Sequence, residues 1–231
     1  MNSVSATRRD YLSSFGRNRG RSLSAHQQRL VDELLPQLKP SLVRRVAPRN
    51  DEYKQFTLEI GFGGGEHLAA QARHHPETLY LGSEPYINGV AKLLAVIDRE
   101  KLTNIRIDTR DVRELLKELP SASLDEIFIL FPDPWPKARH HKRRLINYET
   151  LALLARVHKP GGRLLIATDH ADYAAWILEH LSQSQDYAWL AESAADWQTP
   201  PSDWTETKYQ RKTSGEGRQP MFFECRHQPR V

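Results

Sequence analysis

The sequence has almost no cysteine. Its single thiol, Cys225, has no partner for a disulfide, and one sulfur cannot build a Cys-based zinc site. A chain without disulfides suits a reducing compartment, so a cytoplasmic location is expected. Long hydrophobic runs are also missing. The longest run of large apolar side chains is Ile127–Phe131, far below the ~20 residues of a membrane helix, so no membrane role is expected. Internal repeats are absent. With 231 residues, 39% hydrophobic and 27% charged, the chain can bury one good core, but two full domains would be crowded.

What the sequence does have is charge, unevenly placed. The formal net charge is only +4. Residues 1–30, however, carry Arg8, Arg9, Arg17, Arg19, Arg21 and Arg29 against one acid, Asp10. Lys137–Arg144 carries Lys137, Arg139, Lys142, Arg143 and Arg144 against none. An acidic body bearing two basic patches points to a polyanionic partner. The N-terminus is Ser/Arg-rich like a transit peptide, but no amphipathic helix precedes Leu23. Residues 1–22 are therefore expected to be a flexible basic arm, and residues 23–231 a single domain.

The chain then alternates. Leu30, Val31, Leu34, Leu35 and Leu38 recur at helical spacing, with Ser24 as N-cap and Pro40 as stop. Strands are expected at Thr57–Ile60, Leu79–Gly82, Ile105–Ile107, Ile127–Phe131 and Leu164–Ala167. Helices are expected near Glu66–Arg73, Asn88–Lys101, Val112–Leu119, Asn147–Val157 and Tyr173–Leu181. Asp196–Trp204, with Pro200 and Pro201, reads as a loop, and Met221–Arg226 as an antiparallel edge strand. This is an α/β pattern: a mostly parallel, doubly wound sheet, whose ligands bind outside the carboxyl ends of the strands. An acid stands at each exit: Glu59, Glu84, Asp111, Asp133 and Asp169.

The first exit, Glu59-Ile60-Gly61-Phe62-Gly63-Gly64-Gly65-Glu66, is a glycine loop before a helix. Glu66 stands where a dinucleotide fingerprint needs its third glycine, and no Gly-Lys-Ser/Thr follows. Glu59 and Glu66 make the loop poor for pyrophosphate and better for a cation. S-adenosylmethionine, with a sulfonium, an ammonium and no phosphate, fits those charges. Gly61 and Gly63 would admit it, Glu84 would accept from the ribose hydroxyls, and Asp111 from the adenine amino group.

The fourth exit is Pro132-Asp133-Pro134-Trp135-Pro136-Lys137, whose prolines stiffen the loop holding Asp133 and Lys137. Trp135 either stacks on a base or packs under the loop. Trp176, Trp189, Trp197 and Trp204 are read as packing residues. The run Ala138-Arg139-His140-His141-Lys142-Arg143-Arg144 has no interleaved acid to pair with, so phosphate contact is preferred over a solvated face. Adjacent His140 and His141 in a cationic run make poor co-ligands, and no metal is expected.

These pieces together resemble the tRNA (guanine-N7)-methyltransferase family: Glu59-Ile-Gly-Phe-Gly-Gly-Gly, Gly82-Ser-Glu84, Phe131-Pro-Asp-Pro-Trp-Pro-Lys with its basic tail, Ala167-Thr-Asp169 and Thr207-Lys-Tyr209. Arg17-Asn-Arg-Gly-Arg21 is similar to the family's N-terminal arm. The resemblance implies a Rossmann-like class I fold of about seven strands. It implies methyl transfer from S-adenosylmethionine to N7 of guanine 46 in the tRNA variable loop; separately, a monomer or weak homodimer is expected. It assigns Glu59, Gly61, Gly63, Glu84, Asp111 and Asp133 to the cofactor, with Asp133 also catalytic. Lys137, Asp169, Thr207, Lys208, Tyr209 and Gln210 fall to the substrate, and Arg139, His140, His141, Lys142, Arg143 and Arg144 to RNA. Two departures stand out. Gln210 replaces an expected acid, and Pro85 replaces a branched apolar residue after Glu84. Two other readings remain: methylation of a protein or small metabolite, and a non-catalytic RNA-binding protein on the same fold.

Overall fold

The computed structural model describes residues 20–40 and 53–228. Two short helices, α1 (Ala25–Glu33) and α2 (Leu35–Leu38), come first. They are followed by β1 (Gln55–Ile60), α3 (Glu66–His74), β2 (Thr78–Ser83), α4 (Ile87–Glu100), β3 (Ile105–Asp108), α5 (Val112–Glu118) and β4 (Leu124–Leu130). After a 3-10 turn at Ala138–Arg143 come α6 (Tyr148–Val157), β5 (His158–Thr168), α7 (Ala171–Gln183), β6 (Tyr187–Trp189), α8 (Ala194–Gln198), α9 (Lys208–Gly215) and β7 (Met221–His227).

The strands form one seven-stranded sheet in the order β3-β2-β1-β4-β5-β7-β6. The first five run parallel, and β7 is antiparallel to both β5 and β6. The five expected strands and the helices between them all form. Helix ends follow local chemistry: Ser24 and Gln27 make a reciprocal capping box on α1, and Asn147 caps α6 through Thr150 N–H.

Two expectations change. Met221–Arg226 forms a strand but not the edge, because β6, a three-residue strand too short to leave a periodic signal, lies outside it. Asp196–Trp204 begins within α8, where Asp196 closes a capping box with Ser193. Thr207–Gln210 forms the N-cap and first residues of α9, with the Thr207 hydroxyl accepting from Gln210 N–H. Of the expected arm, residues 1–19 lie outside the described residues. Where it joins the fold, Gly20 N–H donates to Asn88 Oδ1 at 2.8 Å, and Asn88 Nδ2 to the Arg21 carbonyl at 2.6 Å.

The sheet buries both faces. Leu115, Leu116, Leu151, Leu154, Ile177 and Leu181 of α5, α6 and α7 pack on one. Leu30, Leu35, Leu68, Leu93, Leu94 and Ile97 of α1 to α4 pack on the other. Beside the second layer, Phe128, Leu130, Leu165 and Phe222 are covered by Phe131 and Trp204. Along β4, Ile127 and Ile129 thus serve one face, and Phe128 and Leu130 the other, as period two demands. Among the described residues no helix is long and apolar enough to cross a membrane.

A buried histidine sits at the end of the sheet away from the strand exits. His158 begins β5, its ring stacks on His227 with centroids 5.6 Å apart, and its Nδ1 meets Tyr187 Oη at 3.2 Å. Its Nε2 has no hydrogen-bond partner. Burial, helped by His227, pulls its pKa down to about 4. The unfolded chain therefore takes up this proton first as pH falls, and stability is lost between about 6.5 and about 4. The full loss is roughly 3 kcal/mol. Denaturant unfolding across that range should show a flatter pH dependence in His158→Gln than in the parent; equal slopes would contradict this role.

Candidate active site

Strand order reverses between β1 and β4, which opens a crevice at their carboxyl ends. A cavity of about 350 Å³ lies there, of a size that takes a small ligand. Gly61, Glu84, Asp111 and Asp133, from four successive strand exits, line it together.

The glycine loop gives the ligand room. Gly61 has φ 73°, and a β-carbon there would meet nothing within 4 Å, so its backbone faces open space. Gly89 of α4 does the opposite. A β-carbon there would lie 2.1 Å from the Gly63 carbonyl, so only glycine lets α4 press against the loop. Gly63 N–H donates to Glu84 Oε2 at 2.8 Å, and Tyr86 N–H to Oε1 at 2.9 Å. Each oxygen keeps a lone pair for a ligand donor. Burial nevertheless raises the Glu84 pKa above the usual range, with Asp133 adding like-charge repulsion.

Asp133 stands at the mouth. Loss of hydration to the surrounding walls raises its pKa as well. Among the described residues neither carboxylate has an ion-pair partner. The Ser83 hydroxyl, also on the wall, is buried without a partner. Arg113, Arg143 and Arg144 also line the cavity, but the unpaired carboxylates themselves suit a ligand bringing positive charge and hydrogen-bond donors, as S-adenosylmethionine does.

Two expected cofactor carboxylates are differently occupied. Asp111 lines the cavity and caps α5 through Arg113 N–H, and its two oxygens also take the Arg113 guanidinium at 2.8 and 2.7 Å. Glu59 does not reach the cavity wall. It is buried behind the glycine loop, where its Oε2 meets His67 Nδ1 at 2.8 Å. In this structure its carboxylate is therefore engaged by His67 close behind the site, near enough for its charge to act on Glu84.

The loop carrying Asp133 is bent at both ends. Phe131 and Trp135 have φ 52° and 41°, a region bulky L-residues rarely adopt. Phe131 N–H still reaches the Ala167 carbonyl at 2.8 Å. Trp135 lines the cavity with Arg143 over its ring at 5.0 Å and His140 edge-on at 5.8 Å. Packing thus holds one side of the indole.

Beside this loop lies a second polar group. Asp169 follows β5 and is almost wholly buried, at 4% side-chain exposure. Tyr209 Oη donates to it at 3.3 Å, and Arg218 donates at 3.3 Å while pairing with Glu216 at 2.7 Å. Tyr209 packs on Phe131 at 5.2 Å, which makes the two halves of the site contiguous. Gln210 is buried, and its Oε1 accepts from Trp204 Nε1 at 2.8 Å. The amide thus keeps the acceptor that an acid would offer and gives up its charge. Lys208 pairs with Glu66 at 3.4 Å. The sequence reading missed Arg218, which carries no motif, and the wedge role of Trp204, which touches His67, Phe131 and Phe222.

The basic run is not one surface. Lys137, Arg139 and Lys142 are exposed, while His140 and Arg143 lie against Trp135 and His141 against Trp176. Arg144 overturns the expectation most clearly: it is 2% exposed and pairs with Asp172. The acid that neighbouring sequence does not supply comes from α7.

The Methyltransf_4 family profile of methyltransferases matches residues 53–222. A tRNA (guanine-N(7)-)-methyltransferase of Nitrobacter hamburgensis is 45% identical, covering 94% of this chain and 87% of that protein. One from Roseobacter denitrificans is 44% identical, covering 95% and 98%. Among solved structures, the 16S rRNA methyltransferase KamB superposes with TM-score 0.53 at 17% identity, covering 77% of this chain and 90% of that one. The [4+2]-cyclase SpnF superposes with TM-score 0.52 at 15% identity, covering 80% of each chain. Neighbours that distant show the fold alone. The fold is the Rossmann-like class I methyltransferase sheet, the methyl donor is S-adenosylmethionine, and the chain belongs to the tRNA (guanine-N(7)-)-methyltransferase family.

Proposed function

We propose that this protein methylates N7 of a guanine in tRNA, at position 46 of the variable loop, and works in the cytoplasm. The observation that carries this reading is the placement of Asp133. It stands between a cavity suited to a cationic nucleoside and a set of exposed cations, and the curated relatives point to the same reaction. S-adenosylmethionine supplies an electrophilic methyl group when bound. Glu84 would take the ribose hydroxyls, Asp111 the adenine edge, and Gly61 would give the ligand backbone-close access.

Guanine N7 carries a lone pair and no proton, so no residue need act as base to create the nucleophile. The protein's work is to orient the base and to stabilise charge. Methylation leaves the purine cationic, and the partly desolvated Asp133 carboxylate favours that charge more strongly than it would in water. Asp169, with Tyr209 and the first turn of α9, would hold the base's Watson–Crick edge. The base would have to leave its stack to reach Asp133. Lys137, Arg139 and Lys142 would hold tRNA phosphates.

Asp133→Ala should lower kcat by about 100-fold or more while tRNA affinity stays nearly unchanged; turnover close to the parent's would sink the catalytic assignment. Because burial raises the Asp133 and Glu84 pKa values, activity should fall on the acid side at a higher pH than ordinary carboxylates would give. A pH–rate profile flat down to the ordinary carboxylate range would contradict it. Replacing Lys137, Arg139 and Lys142 by Ala should weaken tRNA binding and flatten its salt dependence by about one unit of slope per lost phosphate contact. An unchanged slope would make them a solvated face.

A further inference from the structure

We propose that Arg144 is a positioning residue for Asp133, turned inward from the basic run to pin the proline loop, and is not a contact to RNA phosphate. The proposal rests on the catalytic reading of Asp133 only for its effect on rate.

Arg144 is the largest of the fully buried side chains. Its Nε donates to the Pro134 carbonyl at 2.8 Å. Its Nη2 donates to Asp172, and its guanidinium lies 5.0 Å over the rings of both Tyr173 and Trp176. Asp172, Tyr173 and Trp176 all belong to α7, the helix after β5. Arg144 therefore ties the loop after β4 to the helix after β5.

The loop needs an outside tie. Pro132, Pro134 and Pro136 have no N–H, so three of its residues cannot donate a backbone bond. On the N-terminal side of Asp133, Phe131 N–H is held by the Ala167 carbonyl of β5. On the C-terminal side, Pro134 is held by Arg144. Asp133 is bracketed by two anchors that both lead to the β5–α7 unit, which also carries Asp169 in the turn between strand and helix. One rigid unit thus sets the distance between the carboxylate proposed for charge stabilisation and the one proposed for base recognition. The planar guanidinium meets a carbonyl, a carboxylate and two ring faces at once; a lysine ammonium cannot stack in this way.

The test uses the full-length protein carrying Arg144→Lys, Arg144→Met or Asp172→Asn, each confirmed folded by its melting temperature. Arg144→Lys should lower kcat about tenfold or more, because small misplacements of a reacting group are costly. Its tRNA dissociation constant should stay within about twofold, with the salt slope unchanged. Hydrogen exchange in peptides spanning residues 131–137 should speed up in Arg144→Lys and Arg144→Met. Asp172→Asn, which keeps the Pro134 bond, should speed it less. If Arg144→Met does not fold, the other two variants decide. Parent-like kcat and exchange in Arg144→Lys would overturn the proposal. So would weaker tRNA binding with a salt slope reduced by about one and kcat intact, the signature of a phosphate contact. The exchange readout is independent of chemistry. Loosening in Arg144→Lys together with full activity in Asp133→Ala would leave the pin standing and remove the catalytic reading of Asp133.

Discussion

Two partly desolvated carboxylates sharing one cavity, Glu84 and Asp133, are the constraint on which the site depends. Burial raises the Glu84 pKa, partial loss of hydration raises that of Asp133 although the residue is exposed, and Asp133 adds to the cost of ionising Glu84. Of the cations on the cavity wall, Arg113 is paired with Asp111, Arg144 is held by Asp172 and Pro134, and Arg143 lies over the Trp135 ring. Among the described residues, Glu84 and Asp133 are thus left without an ion-pair partner of their own. A ligand carrying positive charge removes that strain, and so does a reaction that creates positive charge on a purine. The same pair that favours the methyl donor would favour the product cation.

Holding such a pair open requires rigid surroundings. The sheet provides them at the strand exits, and the loops add local devices. Gly89 lets α4 press on the glycine loop, His67 and Glu59 pair across its two ends, and the proline loop is tied at Phe131 and Pro134. Trp204 links these regions by touching His67 on one side and Phe131 on another, with its indole N–H fixed by Gln210. The unusual backbone angles of Phe131 and Trp135 fall at this junction. Strain there is maintained by packing on both sides.

Much of this was legible in the sequence because it depends on local order. Hydrophobic periodicity placed β1 to β5 and the helices between them. The strand-exit rule brought Glu84, Asp111, Asp133 and Asp169 to one end of the sheet. The motifs of the glycine loop and the proline loop carried the family resemblance. What failed depends on partners distant in sequence. Nothing near Arg144 shows that Asp172, Tyr173 and Trp176 will enclose it, so a charge run read alone looks uniformly exposed. Glu59 sits at a strand exit as expected, but its pairing with His67, the second residue of α3, carries no sequence signal. The three residues of β6 give too little pattern to mark a strand, which made β7 look like the edge.

The central claim is tested most directly by incubating the protein with labelled S-adenosylmethionine and unmodified tRNA, followed by nucleoside analysis. The account predicts label in 7-methylguanosine, from one guanine of the variable loop. Label in another nucleoside, or cofactor binding with no transfer to tRNA, would contradict it.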